Sequence, residues 1–127
     1  MTSAAAAAVG YTGVFPGRAD QIGRARREVS RYLADCPATD DVLIVLSELA
    51  TNAVLHSHSR HDFFTVHAEL ADHHARLVVE DAGGTWEPPA PAVTDGGRGL
   101  QIVAALAAAW GIDGDARGRA IWARFAW

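Results

Sequence analysis

The sequence predicts an α+β fold: a two-layer sandwich in which a mixed, mostly antiparallel sheet carries three helices on one face. Two observations predict it. Strand-like and helix-like stretches are segregated rather than strictly alternating, in the order strand, two helices, two strands, loop, helix, two strands. Two of the strand pairs are joined by short turns, which favours antiparallel pairing with the helices gathered on one side.

Each element has its own signal. Residues 9–15 read as an edge strand closed by Pro16-Gly17. Residues 18–34 turn helical, with Ile22, Ala25, Val29 and Leu33 on one face, and Pro37 breaks the pattern. Thr39 suits an N-cap, and Asp40 and Asp41 suit the positive end of the dipole of a helix running to His56. Residues 57–62 form a polar loop. Residues 63–70 and 76–81 read as strands of a hairpin with a four-residue loop at 71–74. Residues 81–84 make a tight turn, and 86–97, rich in Pro and Gly, a loop. A short apolar helix is expected at 100–109, a strand at 110–113, a turn at 114–118 and a last strand at 119–127. Residues 1–8, largely Ala, read as a frayed tail ahead of a single domain at 9–127.

Composition excludes several classes. Half the residues are hydrophobic, which suits a globular core, yet no apolar run is long enough to span a bilayer, so no membrane partner is expected. A formal charge of −4 argues against direct nucleic-acid binding. Cys36 is the lone cysteine, which excludes an intrachain disulfide and is compatible with a cytoplasmic protein. All eleven basic residues are Arg, so neither a P-loop lysine nor a kinase-type strand lysine exists.

Three constellations could carry chemistry. Glu48, Asn52 and His56 stand four apart, so a helix stacks a carboxylate, an amide and an imidazole on one stripe. The amide oxygen can ligate a hard cation, and the carboxylate can deprotonate a nucleophile. The same spacing also suits a solvated helix face. Next, an apolar strand delivers Asp81 to its end ahead of Gly83 and Gly84. That carboxylate can accept a hydrogen bond from an exocyclic amine, and the glycine lets a flat ligand lie close. An ordinary Asp-Gly turn is the alternative. Finally, Gly96, Gly97, Arg98, Gly99 and Leu100 lead into a helix, whose N-terminus suits phosphate; a flexible loop would look the same.

Two further clusters stand apart. His56, His58 and His61 lack Cys or carboxylate partners at metal-ligand spacing, so no metal site is expected there. Arg24, Arg27 and Arg31 share one face of the first helix, either as a solvated basic face or as a docking patch for an acidic partner.

The order of these motifs, Glu48-x-x-x-Asn52, Asp81-x-Gly83 and Gly97-x-Gly99-Leu100, resembles the GHKL ATPase/kinase superfamily of gyrase, the heat-shock chaperone of 90 kDa, histidine kinases and the mismatch-repair MutL proteins. The stretches Phe15-Pro16-Gly17, residues 46–54 and residues 119–124 are similar to small actinobacterial anti-sigma-factor serine/threonine kinases. The resemblance implies a Bergerat-type ATP-binding fold with ATP and Mg²⁺ as cofactors. It implies Glu48 as general base, Asn52 as the Mg²⁺ ligand, and Asp81 as acceptor of the adenine amine with Gly83 and Thr85 beside the base. His56 would join the nucleotide site. Gly97, Arg98, Gly99 and Leu100 would face the phosphates, and residues 86–96 would form a lid. In the last strand the family often carries Thr two residues before the Trp, where this chain has Ala120, so a hydroxyl near adenine is expected to be missing. The implied partners are a sigma factor and an antagonist protein, and the resemblance allows a homodimer. Three readings follow: an ATP- and Mg²⁺-dependent protein kinase, an ATP-binding module that sequesters a partner without phosphoryl transfer, or an interaction domain that keeps only the fold.

Overall fold

The structure is a computed structural model that describes residues 10–56, 62–81, 94–115 and 118–127. Five strands form one sheet: β1 (Tyr11–Pro16), β2 (Phe63–Ala71), β3 (His74–Asp81), β4 (Ala109–Asp115) and β5 (Gly118–Ala126). The strand order is β1-β2-β3-β5-β4. Every pairing among the described residues is antiparallel, so the mixed sheet expected from sequence is purely antiparallel there.

The helices are α1 (Ile22–Tyr32), α2 (Thr39–His56) and α3 (Thr94–Leu106), with a 3₁₀ turn at Ala19–Gln21 ahead of α1. Alternation along the strands assigns the faces. Phe15, Phe64, Val66, Ala68, Ala75, Leu77, Val79, Ile121, Ala123 and Phe125 are buried and point to the helical layer. That layer answers with Ala25, Val29 and Leu33 of the first helical segment, Val103 of α3, and Val42, Val45, Leu46, Leu49, Ala50, Ala53 and Val54 of α2. The helix α2 is therefore apolar almost all round, as befits an element that packs against α1, α3 and the sheet at once.

The intervening strand residues form the other face. There the Thr12 hydroxyl lies 3.0 Å from His67 Nδ1, His67 Nε2 lies 3.2 Å from Glu80, and the Arg76 guanidinium stands 5.5 Å from the Trp122 ring centre. Two-sided coverage would have demanded apolar residues here as well.

Several expected boundaries move. The first helical segment splits, because the first turn is 3₁₀ and Arg18 ahead of it is extended, held by a 3.2 Å ion pair to Asp20. Thr39 does not cap α2 with its side chain. Its hydroxyl donates back to the carbonyls of Leu33 and Cys36, both at 2.8 Å, which ties the end of the first helical segment to the start of the second. The β2–β3 hairpin turns in two residues rather than four, since Ala71 pairs with His74 and His73 takes a φ of 63°. His is among the few residues that tolerate the left-handed region. The third helix begins at Thr94 and ends at Leu106, earlier at both ends than the apolar pattern suggests. Its expected C-terminal alanines leave it because Ala108 N–H bonds Arg124 O at 2.7 Å and Ala109 opens β4. Sheet pairing here outweighs the helix propensity of Ala. At the far end of β4, Gly114 has φ +101°, where a side chain would also strike the backbone of Gly118.

Candidate functional site

The helix α2 supplies the first part of the site. Its apolar stripe fixes its rotation, and that rotation leaves Glu48 half-buried and carries Asn52 inward to 8% exposure. Asn52 is the one buried polar side chain among the described residues, and it makes no hydrogen bond to any of them. The side chain is thus drawn mostly inward while its amide atoms keep some contact with solvent, which leaves them available to a ligand. One helical turn toward the N-terminus, about 6 Å along the axis, Glu48 likewise forms no ion pair among the described residues. By contrast, the neighbouring hydroxyls are consumed locally: Ser47 Oγ donates to Leu43 O at 3.0 Å and Thr51 Oγ1 to Ser47 O at 2.7 Å. The backbone of His56 closes α2.

The second part is the end of β3. Asp81 is its last residue, half-buried, and borders a cavity of about 220 Å³ at the sheet edge, shared with Glu80, Asp113, Gly114, Gly118, Arg119 and Ala120. Arg119 stands directly opposite Asp81 in the β3–β5 ladder. Directly opposed residues of an antiparallel pair project to the same face, so both project toward the helical layer. Sequence reasoning passed over Arg119 and singled out Ala120. The register corrects this: Ala120 pairs with Glu80, one step along, and belongs to the outer face. A hydroxyl at position 120 would stand beside Glu80 and not beside Asp81.

The third part is α3, which packs against α2. Gly97, Arg98, Gly99 and Leu100 lie inside this helix instead of ahead of it, because it starts at Thr94. The unpaired N–H groups of a helix belong to its first turn, so here they begin near Thr94. Leu100 is half-buried. Gly83, Gly84 and Thr85, residues 86–93 of the expected lid, and His58 and His61 lie outside the described residues. Among the described residues, no group of His, Cys, Asp and Glu is arranged to hold a metal ion, and no helix is long and apolar enough to cross a membrane.

The basic face of α1 also changes. Arg24 leaves it: its Nε is 3.2 Å from Glu28, and its guanidinium lies 5.3 Å from the centre of the Phe15 ring. Glu28 in turn accepts a 2.6 Å hydrogen bond from the Tyr11 hydroxyl. That bond first, and Arg24 after it, hold the Glu28 carboxyl below its ordinary value of 4.5. Burial, then Glu28, pushes the Tyr11 phenol above its own. Arg26 replaces Arg24 beside Arg27 and Arg31.

An antiparallel five-stranded sheet under one layer of three helices sets the class of fold. The histidine kinase-like ATPase domain matches residues 15–125, and the chain belongs to that family. The GHKL resemblance and the α+β fold expected from sequence are thereby upheld, and an ATPase domain of this type implies ATP binding. Among solved structures, the RsbU and RsbW domains of Rv1364c from Mycobacterium tuberculosis superpose with a TM-score of 0.72 at 21% identity. That alignment covers 92% of this chain and 32% of the other, so the chain spans about a third of that protein's length. The Acinetobacter baumannii histidine kinase AdeS superposes with a TM-score of 0.54 at 15% identity, covering 91% of this chain and 67% of that one. At these identities the likeness is one of fold. No curated protein matches the chain.

Proposed function

We propose that the chain binds ATP with Mg²⁺ between α2, the end of β3 and the start of α3, and acts as a protein serine/threonine kinase. Its substrate would be a small antagonist protein and its regulatory target a sigma factor, in the cytoplasm. The observation that carries this reading is Asn52: a buried amide with no hydrogen-bond partner among the described residues, one turn from a carboxylate free of ion pairs. Such an amide fits the hard-cation chemistry of a metal shared with phosphates. Bound Mg²⁺ would neutralise charge on the transferring phosphoryl group. Asn52 Oδ1 would hold that ion, and Asp81 would accept a hydrogen bond from the adenine amine. Glu48 would take the proton of the attacking serine or threonine hydroxyl.

The chain has no Lys to do this work, so the phosphate charge must be met by the cation, by Arg and by backbone N–H groups at the start of α3. The rival reading, a nucleotide-binding module without phosphoryl transfer, drew part of its support from Ala120. In the sheet, Ala120 pairs with Glu80 and stands one step from the Asp81–Arg119 pair. The test is twofold. Calorimetric titration of ATP with and without Mg²⁺ establishes binding, and transfer of labelled γ-phosphate to small antagonist proteins of the same genome establishes activity. Tight binding with no transfer to any candidate would favour the module.

A further inference from the structure

A groove runs between α1 and α2, away from the strand-end aspartate. It encloses about 630 Å³ and is lined by Gly23, Arg26, Arg27, Ser30, Arg31 and Leu43. Three of its six lining residues are cations and none is acidic, in a chain whose formal charge is −4. Arg26 is fixed in place: its Nη1 donates to Leu43 O at 3.0 Å and to Ser47 Oγ. Arg27 and Arg31 are exposed and form no close ion pair among the described residues, although Arg31 lies within electrostatic range of Glu28 on the same helix. The floor is apolar at Leu43, and the next residue, Ile44, is 43% exposed.

Gly23 is a second, independent observation. A Cβ there would meet only Arg27 Nη1, at an ordinary 3.5 Å, and its φ is not in the left-handed region. The packing of the described residues therefore does not require glycine at this helical position, although glycine weakens a helix. What its absent side chain does is keep the groove open at one end.

We infer that this groove is a docking surface for an acidic amphipathic helix of a partner protein. An occupant helix would set its carboxylates against Arg27 and Arg31 and an apolar residue against Leu43, the usual division of labour when a helix lies in a groove. Two carboxylates a helical turn apart match two arginines at i and i+4. Arg favours this role through its fixed fork of donors. The surface does not draw on the nucleotide site, so it stands or falls separately from the proposed phosphoryl transfer.

The probe is a fluorescein-labelled synthetic helix carrying Glu at i and i+4 with Leu on the adjoining face, measured against the whole chain without nucleotide. The wild type should bind it, with affinity falling as salt rises, and should not bind the Gln version. Arg27→Glu/Arg31→Glu should weaken binding at least tenfold. Gly23→Leu, which fills the groove without touching its charge, should do the same, and circular dichroism melts should show both variants folded, with Gly23→Leu at least as stable as wild type. Amide shifts in the wild type should move at Gly23, Ser30 and Leu43. No binding of the acidic helix, equal binding by the variants, or tighter binding of single-stranded DNA or phosphatidylserine vesicles would overturn the inference.

Discussion

Asp81 and Arg119 oppose one another across the β3–β5 ladder and project to the same face of the sheet. The register sets an acidic and a basic side chain side by side at the rim of one cavity. An ionised carboxylate is the better acceptor for an exocyclic amine. Asp81→Asn should therefore cost about 1–3 kcal/mol of ATP affinity. Arg119→Gln should cost less. The double variant should lose less than the sum, because the two side chains act on one contact. Calorimetry on the four proteins measures this directly. Additive losses would show that Arg119 acts independently, and unchanged affinity in Asp81→Asn would remove Asp81 from the site.

Asn52 makes a different prediction, since stability and binding should part company. It makes no hydrogen bond among the described residues, so its removal breaks none of theirs. Asn52→Leu should keep or raise thermal stability, by up to about 1 kcal/mol, since it adds apolar surface at a mostly buried helix position and breaks no hydrogen bond among the described residues. ATP affinity of the wild type should fall on adding EDTA, and that dependence should largely vanish in Asn52→Ala. A clear drop in melting temperature for Asn52→Leu would mean that the amide serves the fold instead.

The Tyr11–Glu28 contact sets an acid limb of stability. The folded-state pKa of Glu28 is depressed, so its contribution is full above the ordinary value of 4.5 and is lost as pH falls through the depressed one. Tyr11 has the opposite sign: its pKa is raised, so its contribution is present below 10.0 and fades as pH climbs past that value. Tyr11→Phe should cost about 1 kcal/mol near pH 7, the low end for a bond to a charged group because the pair is partly exposed. The difference from wild type should shrink as pH falls below 4.5. Denaturant melts across pH 2–8 check it, and a pH-independent difference would assign the loss to packing of the ring.

How much of this was legible in the sequence depends on what fixes each feature. The stripe of Glu48 and Asn52 was legible because a strong apolar period around Val45, Leu46 and Leu49 dictates how α2 is rotated. Asp81 was legible because an apolar strand ends at it. Arg119 was not, because which of two neighbours in β5 faces Asp81 is decided by pairing register, and one step of slip exchanges the faces. The start of α3 was hidden by glycines that carry no periodic signal. The exchange of Arg24 for Arg26 in the α1–α2 groove was hidden too, since Phe15 and Glu28 that draw Arg24 away lie on tertiary neighbours and on its own helix alike.

Glu48 decides between enzyme and module. It lies one turn from Asn52 on a helix whose rotation is fixed by its buried face, so in the proposed reading a cation held by the amide would bring phosphate near the carboxylate. In the proposed reaction its task is to take a proton in the transition state, a role typically worth about 10²–10⁴ in rate. In that reading it would contribute little to holding ground-state nucleotide. Glu48→Gln keeps the shape and removes the base, so ATP affinity should change by less than about twofold while transfer to the antagonist protein drops by about 10²-fold or more. Single-turnover transfer with saturating ATP separates the two effects. Equal transfer rates in wild type and Glu48→Gln would take the carboxylate out of the chemistry. A parallel loss of ATP binding would instead make Glu48 part of the nucleotide cradle.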